Sequence, residues 1–420
     1  MPKHFLLHTF GSLGDLHPFM ALGLGLQARG HQASIATSEA YRLRVQNAGL
    51  GFYAVRPNFD PNDPALLAKV MDANTGTQFV FKELTLPYLR ETYADLTQAV
   101  SEVDVLISST LTLAAPIVAE KTGVPWVSCV LAPVSFFSAY DPSVINTPFS
   151  QWVSRQGPKL NQWFFNMGKI FTNPWAKPLY DFRLKLGLQK GQSPFFEAQH
   201  SSMCALALFS PYFASPQKDW PTNSHATGFL FYDGSTQDLD PELEHFLQAG
   251  EPPVIFTLGS SAVHAAGDFY IESLKAVKQL GCRAVLLVGK KSKEKFSVLP
   301  KNVFVADYAP YSRLFSRSSM VVHQGGIGTT AQVLCAGKPE LIVPFAHDQF
   351  DNALRIEGLG VGLSLSKSRY HAITVVSKLE HLLNENTFKL KADQLGQTIR
   401  SEKGLENACN MIELVINHND

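Results

Sequence analysis

Along nearly the whole chain, short unbroken apolar runs alternate with longer stretches whose apolar positions recur every three or four residues. A short apolar run between turn-forming residues reads as a strand buried on both faces, and the longer period as a helix that covers it. In the first half the predicted strands are His4–Thr9, Ala33–Thr37, Val103–Ser108 and Trp126–Val130, with helices over Pro18–Arg29 and Leu111–Thr122. Past residue 250 a second cycle places strands at Val254–Leu258, Arg283–Val288, Val303–Ala306, Met320–His323 and Glu340–Pro344, and helices over Asp268–Leu280 and Thr329–Ala336. Strand and helix in repeated succession predict the α/β class: two doubly wound, Rossmann-like domains that face each other. Gly, Ser, Asp and Pro gather over 233–253, which reads as a linker between a first domain over 1–232 and a second over 254–400. Residues 401–420 read as a C-terminal helix that can cross back to the first domain, and about 134–200 as a helical insertion within it.

A length of 420 residues supports that division, since one core rarely serves so long a chain. Lys plus Arg and Asp plus Glu both total 36, and a net charge of zero argues against a nucleic-acid partner, which needs a basic field. The five cysteines are scattered without a CxxC pair, so a reducing cytoplasm is the simplest setting. No apolar stretch approaches the length of a membrane span, and the protein is expected to be soluble or peripheral.

Residues 150–200 change that picture locally. Arg155, Lys159, Lys169, Lys177, Arg183, Lys185 and Lys190 face only Asp181 and Glu197, and Trp152, Trp163, Phe164, Phe165, Phe171, Trp175, Tyr180 and Phe182 lie among them. Aromatic anchors among cations suit an interfacial helix on anionic lipid; an insertion whose aromatics pack on the sheet explains them equally well.

Several motifs compete for the chemistry. Gly23-Leu24-Gly25-Leu26-Gln27-Ala28 has dinucleotide-fingerprint spacing, but it lies inside a helical pattern well past the first strand, so close helix packing explains it better. Asp238-Leu239-Asp240 has the form of a metal-holding pair, yet Pro241 and an amphipathic Glu242–Leu247 make Asp240 a helix cap, and no metal is expected. The strongest signal is the run from Met320 to Ala331, an apolar strand leading through Gly325, Gly326 and Gly328 into a helix. Backbone N–H groups and the positive helix end converge there on a place for a phosphate, and His323, Thr329 and Thr330 would add donors. After the next strand, Asp348 and Gln349 offer the acceptor–donor mixture that sugar hydroxyls need, although Asp before a helix is also an ordinary cap. Thr257-Leu258-Gly259-Ser260-Ser261 and Asp307-Tyr308-Ala309-Pro310 end two further strands, and the four loops together predict one crevice at strand carboxyl ends. In Gly11-Ser12-Leu13-Gly14-Asp15-Leu16-His17-Pro18, Asp15 and His17 are both candidate general bases, and His17 also reads as the cap of a helix begun by Pro18.

As a set, His323-x-Gly-Gly-x-Gly-Thr, Pro344 to Gln349 with Asn352, Tyr308-Ala309-Pro310 and the opening Gly11 to Pro18 resemble the two-domain, GT-B-fold glycosyltransferases that use nucleotide sugars, including sterol, macrolide and glycopeptide glycosyltransferases. A closer likeness is to the rhamnosyltransferases that build rhamnolipids. It is carried by Phe213-Ala214-x-Pro216-Gln217-x-Asp219-Trp220-Pro221, Thr227-Gly228-Phe229, Asp233-Gly234-Ser235 and Gly267-Asp268-Phe269-Tyr270. The resemblance implies an inverting, metal-independent transfer of a hexose from dTDP-rhamnose or UDP-glucose to a hydroxyl of a hydrophobic or lipid acceptor, with no cofactor. It implies that Gly14, Gly259, Ser260, His323, Gly325, Gly326, Gly328 and Thr329 hold the donor, that Tyr308 and Ala309 face its base, and that Asp348 and Gln349 face its sugar. Asp15 would be the base and His17 its alternative or helper, with the span Val134–Phe182 forming the acceptor pocket. Ala331 stands where plant relatives carry a glutamate for the ribose hydroxyls. A nucleotide-sugar epimerase or hydrolase of the same fold, and a noncatalytic nucleotide-sugar-binding subunit, remain as alternatives.

Overall fold

The computed structural model describes residues 1–232, 234, 238–289, 296 and 299–417; Asp233 and Ser235 of the rhamnosyltransferase likeness, and 418–420 of the terminal helix, lie outside the described residues. The chain divides into two compact units, one of Met1–Pro61, Thr75–Tyr232 and Glu402–Asp420, the other of Asn62–Asn74 and Asp233–Ser401.

The first unit is built on β1 (His4–His8), β2 (Gln32–Thr37), β3 (Gly51–Ala54), β4 (Val105–Ser109), β5 (Trp126–Val130), β6 (Cys204–Ala207) and β7 (Ser224–Ala226), ordered β3-β2-β1-β4-β5-β6-β7. The second is built on β8 (Val254–Thr257), β9 (Ala284–Leu287), β10 (Val303–Ala306), β11 (Met320–His323), β12 (Glu340–Ile342) and β13 (Gly362–Ser364), ordered β10-β9-β8-β11-β12-β13. All pairings are parallel. In each sheet the order reverses once, between β1 and β4 and between β8 and β11. Loops leaving the two strands at such a point diverge to opposite faces and open a crevice at the strand ends.

Strands with unbroken apolar runs lie where the pattern predicts them. β5, β10 and β11 coincide with it, and β4 is buried at every position, as a parallel strand covered by helices must be. The pattern misses β3, β6, β7 and β13, which are three or four residues long and include Ser-His-Ala and Gly-Leu-Ser. Such segments become strands because a neighbour supplies the ladder, which no local preference records.

Two helix starts differ from expectation by a turn or more, while those predicted at Asp268 and Thr329 fall at Phe269 and Ile327. The helix predicted from Pro18 spans Leu13–Ala28, because Ser12 caps it; Pro18 lies inside, and His17 caps nothing. A single interior proline removes one backbone hydrogen bond, a loss the capped first turn offsets. The helix predicted from Leu111 begins at Ala115, since Ser109 to Thr112 close a turn in which the Thr112 hydroxyl donates to the Ser109 carbonyl at 2.5 Å.

In the first unit the terminal helix Gly404–Asn417 packs on Leu13–Ala28. A Cβ on Gly25 would lie 2.8 Å from Leu405 Cδ1 and 3.1 Å from Cys409 Sγ, so the Gly23–Ala28 run is a close helix contact. Arg29 and His31 reach Glu413 at 2.7 and 3.0 Å in the same seam. The second unit takes in Asn62–Asn74, which the sequence reading leaves with the first domain, and Met71 is buried in the second core. Asp240 accepts from the Glu242 and Leu243 N–H groups at 2.8 and 3.3 Å as a helix cap. Among the described residues no group of three or more His, Cys, Asp or Glu side chains is placed to hold a metal, and no helix is long and apolar enough to cross a membrane.

Candidate active site

At the reversal point of the first sheet, β1 ends and Phe10-Gly11-Ser12 turns into the Leu13–Ala28 helix. The Ser12 hydroxyl accepts from Gly14 N–H at 3.2 Å, while Asp15 Oδ2 accepts from Ser12 N–H at 2.7 Å and from the Ser12 hydroxyl at 3.1 Å. This reciprocal capping locks the Asp15 side chain. Gly11, at φ 134°, is required here: a Cβ on it would lie 2.3 Å from Asp15 Oδ2. Burial pushes the Asp15 carboxyl up to about 6, although its bonds from Ser12 pull it down. A fixed carboxylate with that affinity takes up a proton readily near neutral pH. His17 is held down to about 4 by burial and by the Arg44 charge; its Nε2 is buried without a hydrogen-bond partner, and its ring meets Tyr232 edge-on at 5.3 Å.

A cleft of about 20 Å³, room for about one water molecule, opens at the same reversal point. It is lined by the end of β1 and by the segments that follow β1 and β4, among them His8, Thr9, Thr112 and Leu113, and none of residues 134–182, where the sequence reading puts the acceptor pocket, lines it. His8, which that reading passes over, donates from Nδ1 to the Ala36 carbonyl at 2.9 Å, leaving Nε2 as a buried, unpartnered acceptor. Burial holds this ring down to about 4. Its position at the end of the first strand was the available signal.

In the second unit the loops after β8 and β11 meet at the other reversal point: a Cβ on Gly259 would lie 2.5 Å from Gln324 Nε2. Gly325, at φ 85°, makes the sharp turn off β11, and a Cβ there would strike Ile342 Cγ2 at 2.5 Å. Gly326 is the N-cap of the Ile327–Ala336 helix and supplies no capping side chain, so the first N–H groups of that helix lack a side-chain acceptor. A Cβ on Gly328 would meet nothing within 4 Å. Internal packing therefore accounts for Gly325, and Gln324 crowds Gly326, whereas Gly328 borders open space beside an uncapped, positive helix end. Thr329 is buried, and the Thr330 hydroxyl is buried without a partner.

The His323 ring is turned away from that space. His323 and Glu340, neighbours on β11 and β12, are both fully buried with Nε2 and Oε2 2.5 Å apart, and Gly325 N–H donates to His323 Nδ1 at 3.1 Å. An accepting Nδ1 places the ring proton on Nε2, which donates to Glu340. Both nitrogens are thus engaged inside the fold, and His323 shapes the Gly325 turn instead of offering the free donor expected of it. Burial pushes the Glu340 carboxyl up while His323 pulls it down. Glu340 escapes a reading of motifs, but an acid inside an apolar run was the signal of a buried partner.

Asn352 ties the two motif loops together. Its amide donates to the Gly325 carbonyl at 2.9 Å and to Asp348 Oδ2 at 2.7 Å. Gln349 is buried, its Oε1 accepting from Phe345 and Ala346 N–H at 2.8 and 3.1 Å, so its carbonyl end braces the loop. Asp348 occupies the N-cap position of the Gln349–Leu359 helix but makes no capping bond. His347 before it adopts φ 57°, a left-handed conformation that costs a side-chain-bearing residue about 1 kcal/mol or more. After β10, Tyr308 is 60% exposed, Ala309 is buried and Ser260, after β8, is exposed. Gly14 lies in the first unit, beside Ser12. The structure thus gathers Gly259, Gln324 to Thr329 and Asp348–Asn352 into one turn system, while Asp15, His17 and Gly14 form a separate group.

Comparison with known proteins bears on both groups. Residues 5–139 match the glycosyltransferase family 28 N-terminal domain, and 272–413 match the erythromycin biosynthesis protein CIII-like C-terminal domain. The chain is 31% identical to O-mycaminosyltylonolide 6-deoxyallosyltransferase of Streptomyces fradiae, with 97% of this chain and 96% of that protein covered. It is 28% identical to sterol 3-beta-glucosyltransferase of Glomerella lagenarium over 96% of this chain, which spans only 28% of that protein. The fold matches that of the spinosyn rhamnosyltransferase SpnG complexed with thymidine diphosphate, with a TM-score of 0.72 at 19% identity, covering 98% of this chain and all of that one.

Proposed function

The chain belongs to the GT-B nucleotide-sugar glycosyltransferases, and from that premise we propose that it transfers a hexose from dTDP-rhamnose or UDP-glucose to a hydroxyl of a hydrophobic, lipid-type acceptor, with inversion at the anomeric carbon. The observation that carries the donor assignment is the open space beside Gly328, at a helix start whose N–H groups have no side-chain cap. A diphosphate there would receive the N–H groups of residues 327–329 and the positive end of the helix dipole.

In the proposed reaction Asp15 accepts the proton of the acceptor hydroxyl. The hydroxyl oxygen bonds to the anomeric carbon, and the bond from that carbon to the diphosphate breaks with its electron pair on the leaving oxygen. Donors at the helix end meet that charge without a metal ion. Relatives named for deoxyallosyl and rhamnosyl transfer, one of them seen with thymidine diphosphate, support a deoxyhexose donor, and the sterol enzyme supports glucose and an apolar acceptor. Aromatic residues throughout Val134–Phe182 support the same kind of acceptor.

A thermal-shift panel of UDP-, dTDP- and GDP-sugars, followed by turnover with β-hydroxy fatty acyl and sterol acceptors, tests this reading. A dTDP- or UDP-sugar should raise the melting temperature by mass action and yield a glycosylated lipid whose new anomeric bond is opposite in configuration to the donor's. Release of free sugar at equal rates with and without acceptor would assign the chain to hydrolysis, and retained configuration would exclude a single displacement by way of Asp15.

A further inference from the structure

The first two of the three α-helices between β5 and β6, Pro148–Ser154 and Pro158–Thr172, take no part in the turn systems described above. The longer one is apolar on two faces. Inward, Phe165 meets Phe137 edge-on and Asn161 donates to the Ala139 carbonyl at 2.9 Å. Outward, Trp163, Ile170 and Phe171 are 51, 66 and 73% exposed, with Leu160, Phe164 and Met167 half-buried among them. The shorter helix extends the patch: Phe149 and Trp152 are 53 and 54% exposed, stacked with ring centres 6.0 Å apart, and Phe149 approaches Phe164 at 5.9 Å. A helix on a water-facing surface keeps its apolar residues on one face, so an outward face of this composition marks a contact with something apolar.

Charge identifies that contact. No acid occurs from 142 to 180, while Arg155 and Lys159 flank the exposed aromatics where the two helices join, and among the described residues neither has an ion-pair partner. Nearby Lys169 and Lys177 are answered by Glu197 and Asp181. A field of one sign around tryptophans complements a diffuse anionic surface, and tryptophan favours the headgroup level of a bilayer.

We propose that the outward face of these two helices docks on an anionic lipid bilayer, with Trp152, Trp163, Ile170 and Phe171 at the headgroup–acyl boundary and Arg155 and Lys159 on lipid phosphates. The docking is independent of which sugar or acceptor the enzyme uses. It requires no spanning helix, because an interfacial helix binds through its buried apolar area together with its attraction to anionic headgroups.

The full-length chain is mixed with vesicles of phosphatidylcholine alone and of phosphatidylcholine with an equal part of phosphatidylglycerol, and partition is read by co-sedimentation. Wild type should bind the anionic vesicles about 25-fold more strongly than the neutral ones, about fivefold for each of the two cations, and detach in high salt. Trp163→Ser/Ile170→Ser/Phe171→Ser should lower anionic-vesicle binding by about tenfold or more, and Arg155→Gln/Lys159→Gln by about fivefold per cation. Wild-type melting temperature and nucleotide affinity in both variants would show that they are folded. Failure of wild type to bind either vesicle, or equal binding by the triple variant, overturns the proposal. So does a wild-type dimer that the triple variant converts to monomer, which would make this face a seat for a second copy.

Discussion

The Asp15 carboxylate has a structural duty and a proposed chemical one. Capping the Leu13–Ala28 helix needs only an acceptor for the Ser12 N–H and hydroxyl, whereas acting as a base needs an ionised carboxylate. Asp15→Asn separates the two: the amide oxygen can still cap, but it cannot take a proton. Turnover should fall by about 10²–10⁴-fold with nucleotide affinity unchanged, and calorimetry with steady-state kinetics checks both. In wild type, kcat/KM should rise with pH through about 6, where Asp15 ionises. Stability should move the other way. With its proton held more tightly in the folded than in the unfolded chain, Asp15 costs stability as pH climbs from its ordinary range near 4 to about 6, and the loss is complete above that. Asparagine removes the slope, so its melting temperature at pH 8 should exceed that of wild type by about 2–4 °C for each kcal/mol relieved. Glu340 offers a second test on one residue. Glu340→Gln keeps an acceptor for His323 and should change stability by less than about 1 kcal/mol, while Glu340→Ala strands a buried N–H and should cost about 1–3 kcal/mol, read by chemical unfolding.

At the scale of elements, the strand–glycine–helix unit after β11 was legible from the chain alone, because an apolar run, three glycines and two hydroxylated residues have few other uses together. Its internal division of labour was not. The sequence assigned all three glycines to the approach of a phosphate, and the structure separates them: Gly325 answers to Ile342 and a left-handed turn, and Gly328 to open space. Gly328→Ala should therefore leave the unfolding free energy equal or raised by no more than about 1 kcal/mol of helix propensity, yet weaken dTDP or UDP binding by about tenfold or more. Unchanged nucleotide affinity in that variant would remove the diphosphate from this helix end. His323 was misread as a free donor for the same reason the glycines were: the carboxylate that claims its Nε2 is 17 residues away on the neighbouring strand. The start of the first helix was missed for a different reason: proline dominated the pattern, although the cap formed by Ser12 and Asp15 is just as local.

For the whole molecule, the decisive event is the return of the chain to its first unit. After Ser401 the last helix buries Ala408, Cys409, Ile412 and Ile416 against Leu13–Ala28 and its sheet. Ending the chain at Ser401 uncovers that face. Each isoleucine contributes on the order of 1.5–3 kcal/mol, so the two alone remove about 3–6 kcal/mol, a large share of the roughly 5–15 kcal/mol that holds an ordinary domain folded. The truncated chain should show the first unit unfolded or aggregated in calorimetric scans, while the second unit retains its own transition and its nucleotide affinity. What the sequence by itself determined was the class of fold, most central strands, and the turn chemistry of the Gly325 and Asp15 loops, because apolar period, glycine and capping residues act over a few neighbours. The tertiary structure alone decided the short strands β3, β6, β7 and β13, the placement of Asn62–Asn74 in the second unit, the capture of His323 by Glu340, and the outward aromatic face of Pro158–Thr172. Each of these depends on which distant segment supplies a ladder, a counter-group or a cover, and that is settled only when the chain has closed on itself.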